Sequence, residues 1–463
     1  MTIRGLRILP PFAIGRLGSS PEPLENYDVR VAEDDPLGFR QIHGAETLVV
    51  DRHRGTIVRS YTPRSIKFKD AGGRVKPVAP FLEVWADVDG VLVPLTTSLL
   101  AENKLSVDDV EWRAQVGNLK AFRRTNKPPD RIEADTGWFR GHGLHLLTGR
   151  CENFLRGRSI PFGDVQFISP GRKFPEIRLR FTPAKGLIYG AKKRSQEGDL
   201  TGGVVYDTRR GTWSGYSDSY ARPTSIVTAP SPIYANLDDP RSTSRGYLDD
   251  ECDGIVEVRI MADKRPVLQA FARIGAGPPD FAPDSFPVRT VADELEQALL
   301  GPNPDNDEVS LEWTEEIIRR AFETVRLQNT AALNGNPIDG GVANSMSTQD
   351  TNWNRAQEPI MAPAIVDSKA LQALHQSVFA AIRSGSATWF GQVLRKFDEV
   401  GDLTDRGRRK MPAMMRGADG LHLALTRRQY NAVLGSGNKQ ATSEDARAAT
   451  FTAPTTPPGK ETE

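Results

Sequence analysis

The spacing of apolar residues changes near Pro287, and this change is the strongest constraint on the fold. Before it, apolar residues fall in short or alternating runs bounded by Gly, Pro, Asp and Asn. No helical pattern separates these runs, which favours antiparallel strands over strand–helix–strand units. After it, apolar residues follow the period of a helix. The sequence therefore predicts an α+β protein, with a β-rich antiparallel N-terminal half (one or two domains, 1–286) and a mainly helical C-terminal half (287–435).

Two segments show the strand pattern most clearly. In FLEVWADVDGVLVPL, two alternating runs flank Asp89-Gly90, a dipeptide that readily adopts the positive φ angles of a tight hairpin turn. In EIRLRF, apolar residues alternate with Arg178 and Arg180, as expected of a half-buried strand whose arginines face solvent. Similar runs cover residues 47–50, 55–60, 165–168, 203–206 and 254–260.

The helical half begins with a capping signal. Val291, Leu295 and Leu299 follow helical spacing in VRTVADELEQALL, and Thr290 with Asp293 forms a capping box before them. The next segment, LEWTEEIIRRAFETVRLQ, continues the same pattern. The residues expected on one face of this second helix are Trp313, Ile317, Ala321, Val325 and Gln328.

Composition and capping signals organise the rest of the chain. Residues 334–363 are rich in Asn, Ser, Pro and Gly and predict a long loop, after which helices resume in SKALQALHQSVFAAIRS and ATWFGQVLRKF. A last helix is expected in LTRRQYNAVL, where Thr426 and Gln429 form a second capping box and Gly435 ends the helix. The tail, 436–463, has too few apolar residues to bury a core, which predicts disorder.

The charge balance narrows the range of partners. The 463 residues include 60 Lys and Arg against 59 Asp and Glu, which gives no global attraction to nucleic acid or to an anionic membrane. No apolar run reaches the roughly 18 residues of a membrane-spanning helix. The apolar N-terminal stretch is broken by Pro10 and Pro11, and we interpret it as folded structure rather than a signal peptide. We therefore expect a cytoplasmic protein.

Metal binding is open in one acidic segment, GYLDDECDGI. Asp249, Asp250 and Asp253, together with Glu251, offer the carboxylate oxygens that Ca²⁺ or Mg²⁺ prefers. An acidic β-turn at Asp253-Gly254 explains the same letters. Both interpretations stay open.

The histidines do not support a histidine-rich metal site, and the cysteines exclude a thiolate cage. His142 and His145 are three positions apart, so on a strand they point to opposite faces. The two cysteines, Cys151 and Cys252, are too few for a disulfide scaffold or for a zinc or iron–sulfur cage of three or four thiolates.

Six blocks, in order along the chain, resemble the LodA-like family of quinoprotein amino-acid oxidases, which includes L-lysine 6-oxidase and glycine oxidase. The resemblance implies the family's β-rich framework and an oxidase activity that uses cysteine tryptophylquinone, a cofactor made from one Cys and one Trp of the chain. The blocks are LRILPPFAIGRLGSSPE, FKDAGGRVKPVAPFLEVWA, IRLRFTPAKGLIYGAKK, GYLDDECDGIVEVRI, ARIGAGPPDFAPDSFPVRTVAD and MPAMMRGADGLHLALTRRQYNAVL.

The same resemblance places both cofactor residues after the LT-x-x-QY block. Residues 436–463 contain neither Cys nor Trp, so we expect a LodA-like chain truncated before the cofactor region, with no cysteine tryptophylquinone. Cys252, inside the DD-x-x-DG block, and Cys151, outside every block, are the two candidates for a relocated thioether.

Two hypotheses follow from this departure. The first is a non-catalytic protein that acts as a binding protein, a scaffold or a partner subunit. It has no organic cofactor, although Ca²⁺ or Mg²⁺ binding stays open. The alternative is an amine or amino-acid oxidase that uses O₂ and releases NH₃ and H₂O₂, with a cofactor relocated or supplied externally. The resemblance implies a paralogous LodA-like subunit or a flavoprotein maturase as partner, and a homo-oligomer is a further expectation.

Overall fold

A computed structural model of the protein divides the chain into two compact units. The first comprises Met1–Asp28 and His43–Phe281, and the second comprises Val29–Ile42 and Ala282–Glu463. The residues that the structure describes are 2–31, 40–150, 158–190, 203–207, 212–213, 247–263, 265–280, 283–305, 307–326, 377, 380–381, 394–399, 410–412 and 424–438.

The described strands, in chain order, are β1 (Ile3–Leu9), β2 (Phe12–Arg16), β3 (Tyr27–Arg30), β4 (Gln41–Gly44), β5 (Thr47–Asp51), β6 (Thr56–Tyr61), β7 (Phe81–Val88), β8 (Val91–Pro94), β9 (Val110–Asn118), β10 (Ile132–Asp135), β11 (Leu144–Arg150), β12 (Ser159–Ile168), β13 (Arg178–Pro183), β14 (Ile188–Gly190), β15 (Gly203–Val204), β16 (Tyr206–Asp207), β17 (Thr212–Trp213), β18 (Tyr247–Asp249), β19 (Cys252–Ala262) and β20 (Arg265–Gly277). The described helices are α1 (Thr97–Glu102), α2 (Lys120–Thr125), α3 (Val291–Leu300), α4 (Leu311–Arg326) and α5 (Arg427–Asn438).

Two antiparallel sheets form the centre of the first unit. One has the order β1-β7-β13-β12-β11, with β8 paired to β7, and the other has the order β10-β9-β19-β20-β2. Strand β2 pairs in parallel with β20, whereas the other neighbours in these two sheets pair antiparallel. The prediction of a β-rich antiparallel N-terminal region is confirmed.

The two sheets enclose one hydrophobic core. Phe167 of the first sheet and Trp112 of the second place their ring centroids 6.1 Å apart, and both side chains are buried. Val165, Leu179 and Val258 belong to the same buried cluster. Inward-facing apolar residues from both sheets are the packing that defines a β-sandwich.

The turn between β7 and β8 confirms the predicted hairpin. Asp89 and Gly90 have φ angles of 54° and 87°, as a two-residue primed turn requires. The Gly90 N–H donates a hydrogen bond of 2.9 Å to Asp87 Oδ1. Val88 and Val91 pair across the turn and begin the hairpin ladder.

The acidic segment does not turn at Asp253-Gly254. Both residues lie inside β19, where Gly254 pairs with Val116 on one side and with Ile274 on the other. The turn interpretation is therefore wrong. A Cβ atom at Gly254 would lie 1.9 Å from the carbonyl oxygen of Gln115, so a close approach of backbones, rather than a turn, requires the glycine.

The N-terminal apolar stretch is folded, as predicted, because it forms β1 and β2. Within the part of the chain that the structure describes, no helix has the length and apolar character needed to cross a membrane.

In the second unit, α3 begins at the predicted capping box. The Asp293 N–H donates to Thr290 Oγ1 at 3.1 Å, and the Thr290 N–H donates to Asp293 Oδ2 at 2.6 Å. The three apolar residues whose spacing predicted this helix, Val291, Leu295 and Leu299, are all exposed. Their spacing therefore identified the helix but not a buried face.

Helices α4 and α5 supply the buried cluster of this unit. Ile317 and Ala321, which were predicted to share one face of α4, are both buried, and Val433 of α5 joins Ile317 in the same cluster. At the start of α5, the Gln429 N–H donates to Thr426 Oγ1 at 3.1 Å, which confirms half of the second capping box. The reciprocal bond, from the Thr426 N–H to Gln429 Oε1, measures 2.9 Å and completes it.

The predicted end of the last helix is wrong, because Gly435 lies within α5, which continues to Asn438. The side chain of Val325, residue Gln328, the loop 334–363 and residues after Asn438 lie outside the described residues. The two helices predicted between that loop and residue 397 also fall largely outside them.

The segment Val29–Ile42 belongs to the second unit, and Arg40 bonds it to other residues of that unit. The Arg40 guanidinium donates to Glu323 at 2.8 Å and to Glu316 at 3.0 Å, and its Cζ lies 4.3 Å from the centre of the Phe286 ring. The side chain is buried, and two carboxylates and an aromatic face compensate its charge.

Candidate functional site

The outer face of the first sheet carries buried polar side chains where β12 and β13 pair. Because residues alternate along a strand, Val165 and Phe167 face the core while Asp164 points to the opposite side. Asp164 pairs across the ladder with Thr182, and Gln166 with Arg180. The alternation of EIRLRF places Arg180 on this polar face as predicted, but the arginine is only 8% exposed instead of facing solvent.

A ribbon made of β5 and β6 lies over that face. Gln166 Nε2 donates to the Arg52 carbonyl oxygen at 2.9 Å and to the His142 carbonyl oxygen at 2.8 Å. The Ser169 N–H donates to the Gly55 carbonyl oxygen at 2.7 Å. These bonds attach the turn between β5 and β6 to the sheet and explain why Arg180 is not open to solvent.

Beneath the ribbon lies a cavity of about 1030 Å³. Its wall combines residues of β5, β6, β12 and β13 with residues from the stretches 18–27 and 76–81. Arg52, Asp164 and Arg180 line it alongside Tyr61 and Phe81. A cavity of this size with a few convergent polar groups has the features of a small-molecule site.

The charged groups of this cavity are incompletely paired. Arg52 Nη2 donates to Asp164 Oδ2 at 2.7 Å, whereas Asp164 Oδ1 and Arg180 Nε are buried without a hydrogen-bond partner among the described residues. Burial, reinforced by the nearby Arg52, lowers the pKa of Arg180 to about 10, and burial raises the pKa of Asp164. Two guanidinium groups and one carboxylate leave one excess positive charge. We call these three residues the Arg180 cluster.

Nothing in the sequence singled out the Arg180 cluster. Arg180 and Asp164 fall in ordinary strand patterns, and Arg52 follows a short strand at a turn. The sequence showed only an arginine in an alternating strand, a pattern that is typical of any sheet with one face in solvent and does not indicate a binding site. The ribbon that buries it could not be placed from the sequence.

The acidic side chains of the segment 249–253 do not converge on one point. Asp249 accepts hydrogen bonds from Asn118 Nδ2 at 2.9 Å and from Lys120 Nζ, and Glu251 also pairs with Lys120 Nζ. Burial lowers the pKa of Lys120, but its hydrogen bonds to the two carboxylates outweigh this and raise it. The Lys120 ammonium therefore already stands between two of the acidic side chains.

Asp250 points away from that pair and into the interior. Its Oδ2 accepts a hydrogen bond of 2.9 Å from the Leu187 N–H, while its Oδ1 has no partner among the described residues. The residue is 0% exposed, and this burial raises its pKa to about 7. Asp253, by contrast, is exposed on β19.

Metal binding remains a prediction. Across the described ranges, no group of three or more His, Cys, Asp or Glu side chains is arranged to hold a metal ion. The two histidines of the GHGLHLL segment have other contacts. His142 Nδ1 lies 3.0 Å from the Phe167 carbonyl oxygen, and the His145 ring stacks on Phe139 at 3.7 Å. Burial lowers the pKa of His145.

Cys252 is a buried thiol inside the first unit. Its Sγ lies 3.9 Å from the carbonyl oxygen of Phe162, and 6% of the residue is exposed. Burial, with the neighbouring carboxylates, raises its pKa to about 12. At this pKa the thiol supplies almost none of the thiolate, which is the nucleophilic form of cysteine. Cys151, the other candidate, lies outside the described residues.

We expect native Cys252 to resist alkylation. Iodoacetamide reacts with thiolates, and a buried thiol with this pKa supplies almost none at pH 8. Peptide mapping after brief alkylation of the native protein should show Cys252 unmodified, and the same treatment in guanidinium chloride should label it fully. Rapid labelling of the native protein would show that the thiol is accessible.

Comparisons with known proteins give a likeness in structure alone. No protein-family model matches the sequence, and no curated protein matches it. The chain is similar to L-Lys epsilon-oxidase from Marinomonas mediterranea in the crystal structure of its Schiff base intermediate with L-Lys. In that comparison the TM-score is 0.45 at 13% identity, and the likeness covers 96% of this chain. A second structure of the epsilon-lysine oxidase gives 0.43 at 13% identity and the same coverage.

The chain spans 64% of the length of that oxidase in both comparisons. A third structure of the enzyme gives a TM-score of 0.37 at 12% identity, covering 72% of this chain and 46% of the other. Membership of the family that the sequence blocks resemble remains a prediction.

Proposed function

We propose that this chain is a non-catalytic binding protein that holds a small polar molecule in the cavity of its first unit. The observation that carries the proposal is the cavity of about 1030 Å³, whose wall includes charged side chains with hydrogen-bonding atoms left unpaired among the described residues. Buried polar groups are ordinarily satisfied, so polar groups without a protein partner in a cavity wall favour the binding of a polar molecule there.

A ligand screen on the full chain tests the proposal. Differential scanning fluorimetry with a panel of charged and uncharged metabolites should give a saturable rise in Tm with at least one member, because a ligand that binds the folded state stabilises it. The panel includes sugars and amides as well as organic acids and phosphate esters. A panel without any saturable shift would contradict the proposal.

Variants at two neighbouring leucines test whether the ligand binds in this cavity. Leu144 and Leu146 lie on the same face of β11, but Leu146 lines the cavity and Leu144 does not. Both are exposed, so tryptophan at either position should leave the fold intact. We expect Leu146→Trp to weaken binding by narrowing the cavity, and the control Leu144→Trp to bind normally. Equal binding by both variants would place the ligand elsewhere.

The alternative function, an amine or amino-acid oxidase, is tested by measuring peroxide release. Incubation of the protein with a panel of amines and amino acids should release no peroxide if the chain is a binding protein. Peroxide release, together with a mass that departs from the unmodified sequence, would favour an amine or amino-acid oxidase.

A further inference from the structure

We propose that the cavity of the first unit recognises the anionic group of its ligand, a carboxylate or a phosphate, through the guanidinium of Arg180. This inference rests on the proposed binding function and specifies the ligand class.

The first argument is the state of Arg180 itself. It is only 8% exposed, and its Nε donor has no partner among the described residues. Its guanidinium carbon lies 4.9 Å from the centre of the Phe81 ring, an aromatic contact that orients the group without neutralising its charge. Asp164 attracts Arg180 from nearby but bonds to Arg52, so Arg180 is a buried cation without a carboxylate of its own. Such a cation is costly to fold around, and a bound anion would reduce that cost.

The second argument is that the neighbouring carboxylate is already engaged. Asp164 Oδ2 is held by Arg52 at 2.7 Å, and no ion pair joins Asp164 to Arg180 within the described residues. Arg52 Nη1 also lies 3.5 Å from Thr182 Oγ1, which positions the second guanidinium at the same wall. The Arg180 cluster therefore has one positive charge left over, which an anion can match.

The chain contains a contrast to this arrangement. Arg40, which is equally buried in the second unit, bonds to Glu323 and Glu316 and stacks on Phe286. Arg40 therefore shows how a buried arginine with a structural role is paired with carboxylates. Arg180 keeps the aromatic contact but has no hydrogen-bonded carboxylate among the described residues, and it lines a cavity.

The test compares Arg180→Met with the parent protein, with and without anions. Without added anion, Arg180→Met should raise Tm, because methionine keeps much of the apolar stem and removes the unpaired buried charge. A purely structural arginine predicts the opposite sign. The matched control is Arg40→Met, which removes a paired arginine and should lower Tm. A lower Tm for Arg180→Met would overturn the inference.

Probe anions complete the test at constant ionic strength. Benzoate or phenyl phosphate should raise the Tm of the parent protein, and neutral benzamide should not. The carboxylate and the phosphate ester form separate arms that distinguish the two anion classes. Arg180→Met should weaken the response by about ten- to hundredfold in apparent affinity, the usual effect of losing hydrogen bonds to a charged group.

The outcomes separate this inference from the binding function. Suppose that only neutral ligands bind, that Leu146→Trp prevents their binding and that Arg180→Met does not change their affinity. This result would contradict anion recognition but would still support the proposed binding function. The absence of any saturable ligand, charged or neutral, would contradict both.

Discussion

Replacing Gly254 by alanine should lower the free energy of unfolding by at least about 3 kcal/mol. A Cβ atom there would lie 1.9 Å from the Gln115 carbonyl oxygen and 2.7 Å from the Val116 Cα, both in the backbone of β9. Backbone atoms cannot rotate away as a side chain can, so β9 and β19 would have to separate. Since β19 lies between β9 and β20, the strain would fall in the middle of the second sheet.

Urea unfolding followed by tryptophan fluorescence measures this effect, and Gly275→Ala is the matched control. Gly275 lies opposite Asp253 on the adjacent strand, and a Cβ atom there would meet the Phe12 ring at 3.6 Å, an ordinary contact. We expect the control to unfold within about 1 kcal/mol of the parent protein. Similar midpoints for the two variants would show that β9 and β19 tolerate a wider spacing.

Replacing Asp250 by asparagine should remove a large pH dependence of stability. Burial raises the pKa of Asp250 to about 7, above the ordinary value of 3.8 that applies in the unfolded chain. Between these two pH values the folded state binds the extra proton, so the free energy of unfolding falls as pH rises from about 4 to 7. The full contribution is on the order of 4 kcal/mol, present below pH 4 and lost above pH 7.

Asparagine suits the test because its amide oxygen can still accept the Leu187 N–H, and it does not ionise. Urea unfolding at pH 4.5 and at pH 8 should show the variant gaining stability relative to the parent protein as pH rises. Asp253→Asn, on the exposed part of β19, is the control that removes an acid without altering the buried one. Parallel pH profiles for the parent protein and Asp250→Asn would show that Asp250 does not titrate in this window.

Local signals in the sequence predicted local structure well. The Asp89-Gly90 hairpin and the capping box at Thr290 were both predictable, because a few adjacent residues determine each geometry. Gly435 shows the limit of such signals, since it lies inside a helix that continues to Asn438. Gly254 shows the same limit for strands, because the letters Asp-Gly do not reveal a neighbouring backbone.

The candidate site could not be predicted for a related reason. The pattern of EIRLRF correctly assigned Arg180 to the polar face of a strand. Whether that face is open or covered depends on where β5 and β6 pack, which is a long-range property. The acidic segment was visible in the sequence, but its alternation directs Asp249 toward Lys120 and Asp250 toward Leu187.

The division of the chain into units has a consequence for how the protein is made. The second unit takes one short piece, residues 29–42, from near the N-terminus and the remainder from after residue 281. During synthesis, that early piece must wait until more than half of the polypeptide has left the ribosome before Arg40 can meet Glu316 and Glu323. All residues of the first unit precede Ala282, so this unit can fold in the meantime. Cutting the gene at one position therefore cannot yield both units complete.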